Sequence, residues 1–198
     1  ATTVSSTSHI AFQAGIKVFS TGGIGGVHRG YDESLDMSQD LFSLSQTPIV
    51  VVCSGVKSFL DVEKTIEALE TYGVTTVGYK TDFFPLFYSS SSKHKLQYNF
   101  NNTARLASLY KNNIKNNLKS SILVLNPVPK NKEIPEEKIK NIISSAIKKM
   151  NKNGVVGKKT TPFLLNEIAN KTKNESLITN IELALNNIRV GAKIAKKL

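Results

Sequence analysis

"PIVVVCSGVKS", residues 48–58, decides the fold. Residues 49–53 are an unbroken apolar, largely β-branched run, and Gly55 ends it. A run without polar alternation suits a strand covered on both faces, the situation in a parallel sheet flanked by helices. "SFLDVEKTIEALETYG" (58–73) then has helical spacing and closes on Gly73, and "VTTVGYK" (74–80) reads as the next strand. The same alternation extends in both directions. "GIKVFST" (15–21) and "SSILVLNPVP" (120–129) read as strands. Residues 38–46, capped by Ser38, and residues 101–117, 134–154, 160–172 and 175–196 read as helices. The pattern predicts one α/β domain, a three-layer α/β/α sandwich with a mostly parallel central sheet. The aromatic and serine-rich stretch 82–95 reads as the most mobile loop. The opening "ATTVSSTSHIAFQAG", which has no initiator Met, reads as the middle of a helix.

The 198 residues are 40% hydrophobic, enough for a substantial core, yet no apolar run reaches the ~18 residues that a membrane span needs. The lone cysteine, Cys53, lies inside the apolar run. A disulfide framework is therefore excluded, and a small buried hydrophobe is the plain reading of that residue. The net charge of +11 is lopsided: residues 1–90 sum to −4 and residues 91–198 to +15. A basic half can serve a polyanion. Here, however, only three of the basic residues are Arg, and aromatics do not interleave with the lysines. No nucleic-acid-binding motif appears. A binding or scaffold role for the basic half stands as the alternative to catalysis.

In a parallel α/β sheet, ligands bind beyond the carboxyl ends of the strands. Three such ends carry chemistry. After Thr21 comes "GGIGGVHRG". Paired glycines let main-chain N–H groups approach an anion or a sugar, or they mark a tight turn or close packing. Neither a dinucleotide fingerprint nor a Walker loop is present. Beyond the glycines stand Asp32, Glu33, Asp36 and Asp40. They suit a divalent ion, which takes one or two carboxylates and waters, or they are solvated loop acids. After Cys53 comes Lys57. A lysine in an apolar setting is more often neutral, and a neutral amine condenses with aldehydes. Its plainer reading is a snorkelling side chain at the start of the next helix.

These stretches, in order, resemble one family. "TGGIGGVHRG", "LDMSQDL", "VVVCSGVKSFLD", "LNPVP", "GKKTTPFLLNEIA" and "SLITNIELALNN" are similar to motifs of the pseudouridine-5'-phosphate glycosidases, also called indigoidine synthase A-like proteins. The resemblance spans essentially the whole chain. It implies reversible cleavage of the C–C glycosidic bond of pseudouridine 5'-phosphate to uracil and ribose 5-phosphate. It further implies Lys57 as the imine-forming lysine and Asp36 as the Mn²⁺ ligand. Val4, Ser38, Gln39 and Asp40 fall on substrate-contacting positions, and His28 and Asn180 on polar motif positions near the site. Gln39 stands where a small residue is usual. The resemblance also implies a homotrimer, a cytoplasmic location, and an upstream segment of roughly a hundred residues, a usual domain-sized piece. That segment would bear a proton-donor glutamate and a phosphate-contacting lysine, so a companion N-terminal polypeptide is expected. A related phosphosugar enzyme acting on another C-nucleoside fits the same motifs.

Overall fold

The computed structural model describes residues 3–90 and 92–198. Five parallel strands form one sheet in the order β1-β2-β5-β3-β4: β1 Val18–Ser20, β2 Val50–Cys53, β3 Thr75–Tyr79, β4 Asn99–Phe100 and β5 Ile122–Leu125. Val50 to Cys53 pair in register with Ile122 to Leu125, and all eight residues are buried. Side chains of successive residues take opposite faces. Val51, Cys53, Leu123 and Leu125 join one core with α1 (Val4–Gln13), α3 (Gln39–Gln46), α4 (Val62–Thr71), α6 (Glu136–Lys152) and α7 (Thr160–Lys171). Val50, Val52, Ile122 and Val124 join a second core with α5 (Thr103–Lys115) and α8 (Glu175–Ala195). Both faces are covered, which is why the two central runs show no polar alternation.

The helices start where short polar side chains take the place of missing carbonyl partners. Thr3 accepts from Ser6 N, Ser38 from Asp40 N, Asp61 from Lys64 N and Asn102 from Ala104 N. Gly73 and Gly154, both at positive φ, follow α4 and α6.

Two expectations need correction. The opening stretch is not the middle of a helix among the described residues, because Thr3 caps α1 and the helix begins at Val4. The stretch expected to be mobile is tied into the core. Phe84, Phe87 and Tyr88 are buried, Phe87 N donates to Ser54 O at 2.9 Å, and Ser89 Oγ donates to Ile134 O at 2.6 Å. Its aromatic residues supply the burial that its serines do not advertise; Ser91 lies outside the described residues. Two short elements also escape the sequence pattern: edge strand β4, and the four-residue helix α2 (Tyr31–Ser34) within the acidic stretch. Each is too short to show a hydrophobic period.

Candidate functional site

The segment Gly22–His28 leaves β1 and runs across the carboxyl end of β2. Ile24 N donates to Gly55 O and Lys57 N donates to Ile24 O, both at 3.1 Å, a parallel bridge that extends the β1–β2 pairing by one step. Lys57 is thereby fixed by its own main chain beside the glycine turn. Its side chain is half-buried and joins no ion pair among the described residues.

The other sequence-selected residues border the same segment. Asp40 is buried, and its two carboxylate oxygens are both in use: Oδ1 accepts from Ser5 N at 2.9 Å and Oδ2 from Gly25 N at 2.8 Å. Ser5 follows Val4, the first residue of α1, so Asp40 brings that buried valine to the turn. Ser38 caps α3 through its hydroxyl, and its N–H donates to Gly26 O at 3.0 Å. His28 N donates to Asp36 O at 3.0 Å, and His28 Nδ1 stands 3.7 Å from Asp36 Oδ2. A Cβ built on Gly22 would lie 3.1 Å from Asn180 Oδ1, so α8 delivers that carboxamide to the start of the turn. Asn180 also borders a cavity of about 300 Å³ shared with Tyr88, Asn166, Asn170 and Asn174. Gln39 is exposed.

The glycines have a role that the spacing left open. A Cβ on Gly23 would come within 2.6 Å of the Phe87 ring, on Gly25 within 2.1 Å of Ser38 Oγ, and on Gly26 within 2.4 Å of Thr65 Oγ1. Real Cβ atoms do not approach so closely. Close packing of protein on protein therefore demands glycine at these three positions. The Gly25 N–H is already taken by Asp40. The N–H groups of Gly23 and Gly26, both buried, have no hydrogen-bond partner among the described residues.

The four acids separate in role. Asp40 is the clasp just described. Asp32 pairs with Lys64, whose hydrogen bond and charge hold its carboxyl below the usual carboxylate range. Glu33 is exposed. Asp36, exposed and beside His28, is left as the acid with open coordination. Among the described residues no three His, Cys, Asp or Glu side chains converge on one point. A Mn²⁺ or Mg²⁺ ion that keeps most of its waters takes one or two carboxylates, and Asp36 is the exposed acid of this stretch that lies beside the turn.

One group of polar residues was not anticipated. Asn187, in the middle of α8 and fully buried, donates from Nδ2 to Thr21 O at 2.8 Å and Ser54 Oγ at 3.1 Å. Its Oδ1 accepts from Asn126 Nδ2 at 2.8 Å, and Ser54 Oγ donates to Asn126 O at 2.9 Å. The ends of β1, β2 and β5 are thus laced to α8 through one amide. The available signal was Asn187 falling on the apolar face with Leu183, Val190 and Ile194, since Asn is a poor helix interior residue unless it has a partner. Beside Lys57, Ser58 Oγ is buried without a partner among the described residues, and Ser58 lines a cavity of about 140 Å³ with Arg29, Lys93, His94 and Lys140.

Comparison with known proteins gives the family and the fold. The family model described as indigoidine synthase A like protein matches residues 1–197. A protein of Alkaliphilus metalliredigens named pseudouridine-5'-phosphate glycosidase is 48% identical over all 198 residues, and one of the same name from Kosmotoga olearia is 44% identical. The chain spans 64% and 68% of those two relatives, so about a third of each lies outside the match. Among solved structures, an indigoidine synthase A-like protein from Thermotoga maritima superposes with a TM-score of 0.89 at 37% identity, covering 98% of this chain and 63% of that one. A prealnumycin C-glycosynthase, solved with ribulose 5-phosphate, superposes at 0.92 and 32% identity, covering 100% and 65%. From its glycine turn to its last helix, the chain belongs to the indigoidine synthase A like protein family.

Proposed function

We propose that this chain carries the lysine-bearing part of a pseudouridine-5'-phosphate glycosidase. The observation that carries the reading is the seating of Lys57: main-chain hydrogen bonds fix it against Ile24, in the turn that Asp40, Ser38, Asn180 and His28 border. The names of the two relatives support the substrate, and the C-glycosynthase solved with ribulose 5-phosphate supports a pentose phosphate as the common ligand.

A C–C glycosidic bond has no leaving oxygen to protonate, so the usual pair of carboxylates does not serve. An amine does. The ring C–O bond at the sugar carbon that carries the base breaks, its oxygen takes up a proton, and Lys57 Nζ, losing a proton, bonds to that carbon. The C–C electron pair leaves with the base, which takes up a proton, and the nitrogen lone pair closes a C=N bond. Water then hydrolyses this imine, giving the aldehyde of ribose 5-phosphate and the free amine. Substrate and one water become uracil and ribose 5-phosphate. The unpartnered N–H groups of Gly23 and Gly26 are suited to an anionic or sugar oxygen, and Asn180 holds a carboxamide at the turn's entrance.

Mn²⁺ belongs to this reading, held by Asp36 with His28 beside it; when bound it supplies a positive charge that polarises nearby oxygens. The reading also includes a homotrimer and the remaining third of the family's chain, with its acid and phosphate-binding lysine, both resting on resemblance.

The test is ultraviolet-monitored release of uracil from pseudouridine 5'-phosphate, by the chain alone and by the chain joined to the remaining third of a relative. Turnover by the joined protein that Lys57→Ala abolishes supports the proposal. Turnover unaffected by Lys57→Ala refutes it. Cleavage of another C-nucleoside phosphate instead would keep the chemistry and change the base.

A further inference from the structure

Helix α8 has two apolar faces, and the fold uses one. Leu183, Asn187, Val190 and Ile194 face the sheet and are buried. On the opposite side, Ile178, Ile181, Leu185 and Ile188 are each 41–55% exposed. The steps between them are three, four and three residues, and Ala192 and Ala195, both exposed, continue the series. Six apolar residues thus keep heptad spacing over a length of about 26 Å, at 1.5 Å per residue. Leu177 widens the stripe at its start. Single exposed hydrophobic residues need no explanation, but a contiguous one-helix stripe at this spacing fits another helix. The two alanines let the partner's backbone approach closely at one end. The flanks are charged: Glu182 stands beside the first half, and Arg189 and Lys193 beside the second.

We propose that this seam seats an amphipathic helix from the third of the family's chain that lies outside the match. Its apolar stripe would repeat every three and four residues, with carboxylates facing Arg189 and Lys193. The length argument selects this occupant. In the two relatives named above about a third of the chain lies outside the match, and that portion continues the part matched here and is available to cover this stripe. The inference rests on the family assignment but not on the proposed reaction, and no readout below depends on turnover.

The experiment expresses the unmatched third of the Alkaliphilus metalliredigens relative as a separate polypeptide and mixes it with the 198-residue chain. The proposal expects a one-to-one complex by sedimentation, slowed amide exchange across residues 177–195, and at least tenfold weaker binding for Ile181→Glu or Leu185→Glu. Leu118→Glu, an exposed hydrophobic position outside the seam, should bind like the parent chain. Both seam variants should keep the parent's circular dichroism, since the altered side chains face solvent. If the separate third does not fold, the same segment is fused ahead of the chain. Fusion should then abolish dye binding that Leu185→Glu also removes from the unfused chain. A complex that protects other helices and leaves α8 unchanged overturns the proposal. Self-association of the chain through α8 in the absence of the third overturns it in favour of a second copy.

Discussion

The carboxylate of Asp40 joins Ser5 to Gly25. Oδ1 accepts from Ser5 N at 2.9 Å and Oδ2 from Gly25 N at 2.8 Å, so one buried side chain ties α1 and the glycine turn to α3. A residue read from the sequence as a substrate contact thus has both oxygens committed within the protein. It fixes the place where Val4, Ser38 and the turn meet.

Asp40→Asn offers one acceptor and one donor to two N–H donors. One buried N–H then faces an NH₂ group instead of an oxygen. The expected loss is about 2–3 kcal/mol of stability, the range for breaking a hydrogen bond to a charged group. Urea unfolding measures it; a change below about 0.5 kcal/mol, the range of ordinary surface substitutions, would remove the clasp from the account.

Gly25→Ala places a methyl 2.1 Å from Ser38 Oγ, in an enclosed turn. Gly154→Ala meets nothing within 4 Å and bears only the strain of its φ of +62°. The first should cost more than about 3 kcal/mol and the second about 1 kcal/mol, so their order in thermal unfolding separates close packing from backbone conformation.

Asn187→Ala deletes the amide that links Thr21, Ser54 and Asn126, and leaves their polar groups facing a cavity. The expected cost is about 3 kcal/mol, from unsatisfied buried groups together with lost packing. Denaturant unfolding gives the number. Amide exchange should rise first at the ends of β1 and β5, since both depend on that side chain.

Burial pushes the Cys53 thiol up to about 12 from an ordinary 9.0, and a hydrogen bond with Gly55 offsets this only in part. The folded state therefore keeps this proton where the unfolded chain releases it. Stability from this group is fully present below pH 9 and falls as pH rises from there through about 12. Cys53→Ala should flatten that alkaline loss. Near neutral pH, thiol reagents should label Cys53 only at the rate of unfolding.

Much of the architecture was legible because the strongest signals are long. The four-residue runs of β2 and β5 are buried on both faces and read as such. The cap Ser38 and the closing Gly73 mark helix ends by chemistry that needs no tertiary context, whereas the helix read from residue 58 begins only at Val62, capped by Asp61. The site was legible as a set of residues but not as a geometry. Spacing alone could not say whether the glycines waited for a ligand or for Phe87, Ser38 and Thr65, because those partners come from three other elements. It could not divide Asp32, Asp36 and Asp40 into ion pair, exposed acid beside a histidine, and clasp, since only the fold brings Lys64, His28 and Gly25 to them. Asn187 was overlooked because, among the other polar residues of α8, nothing in the spacing singles out the one that is buried. The burial of Phe84 and Tyr88 was overlooked because a proline interrupts the aromatic cluster and a run of serines follows it.

The central claim is that Lys57 Nζ forms the carbon–nitrogen bond, and reductive trapping addresses it most directly. Ribose 5-phosphate and borohydride are added to the chain, alone and with the unmatched third of a relative, and the digest is read by mass spectrometry. The account predicts a pentose phosphate adduct on the peptide bearing Lys57, absent in Lys57→Ala. An adduct confined to other lysines, or no adduct on that peptide in either preparation, would contradict it.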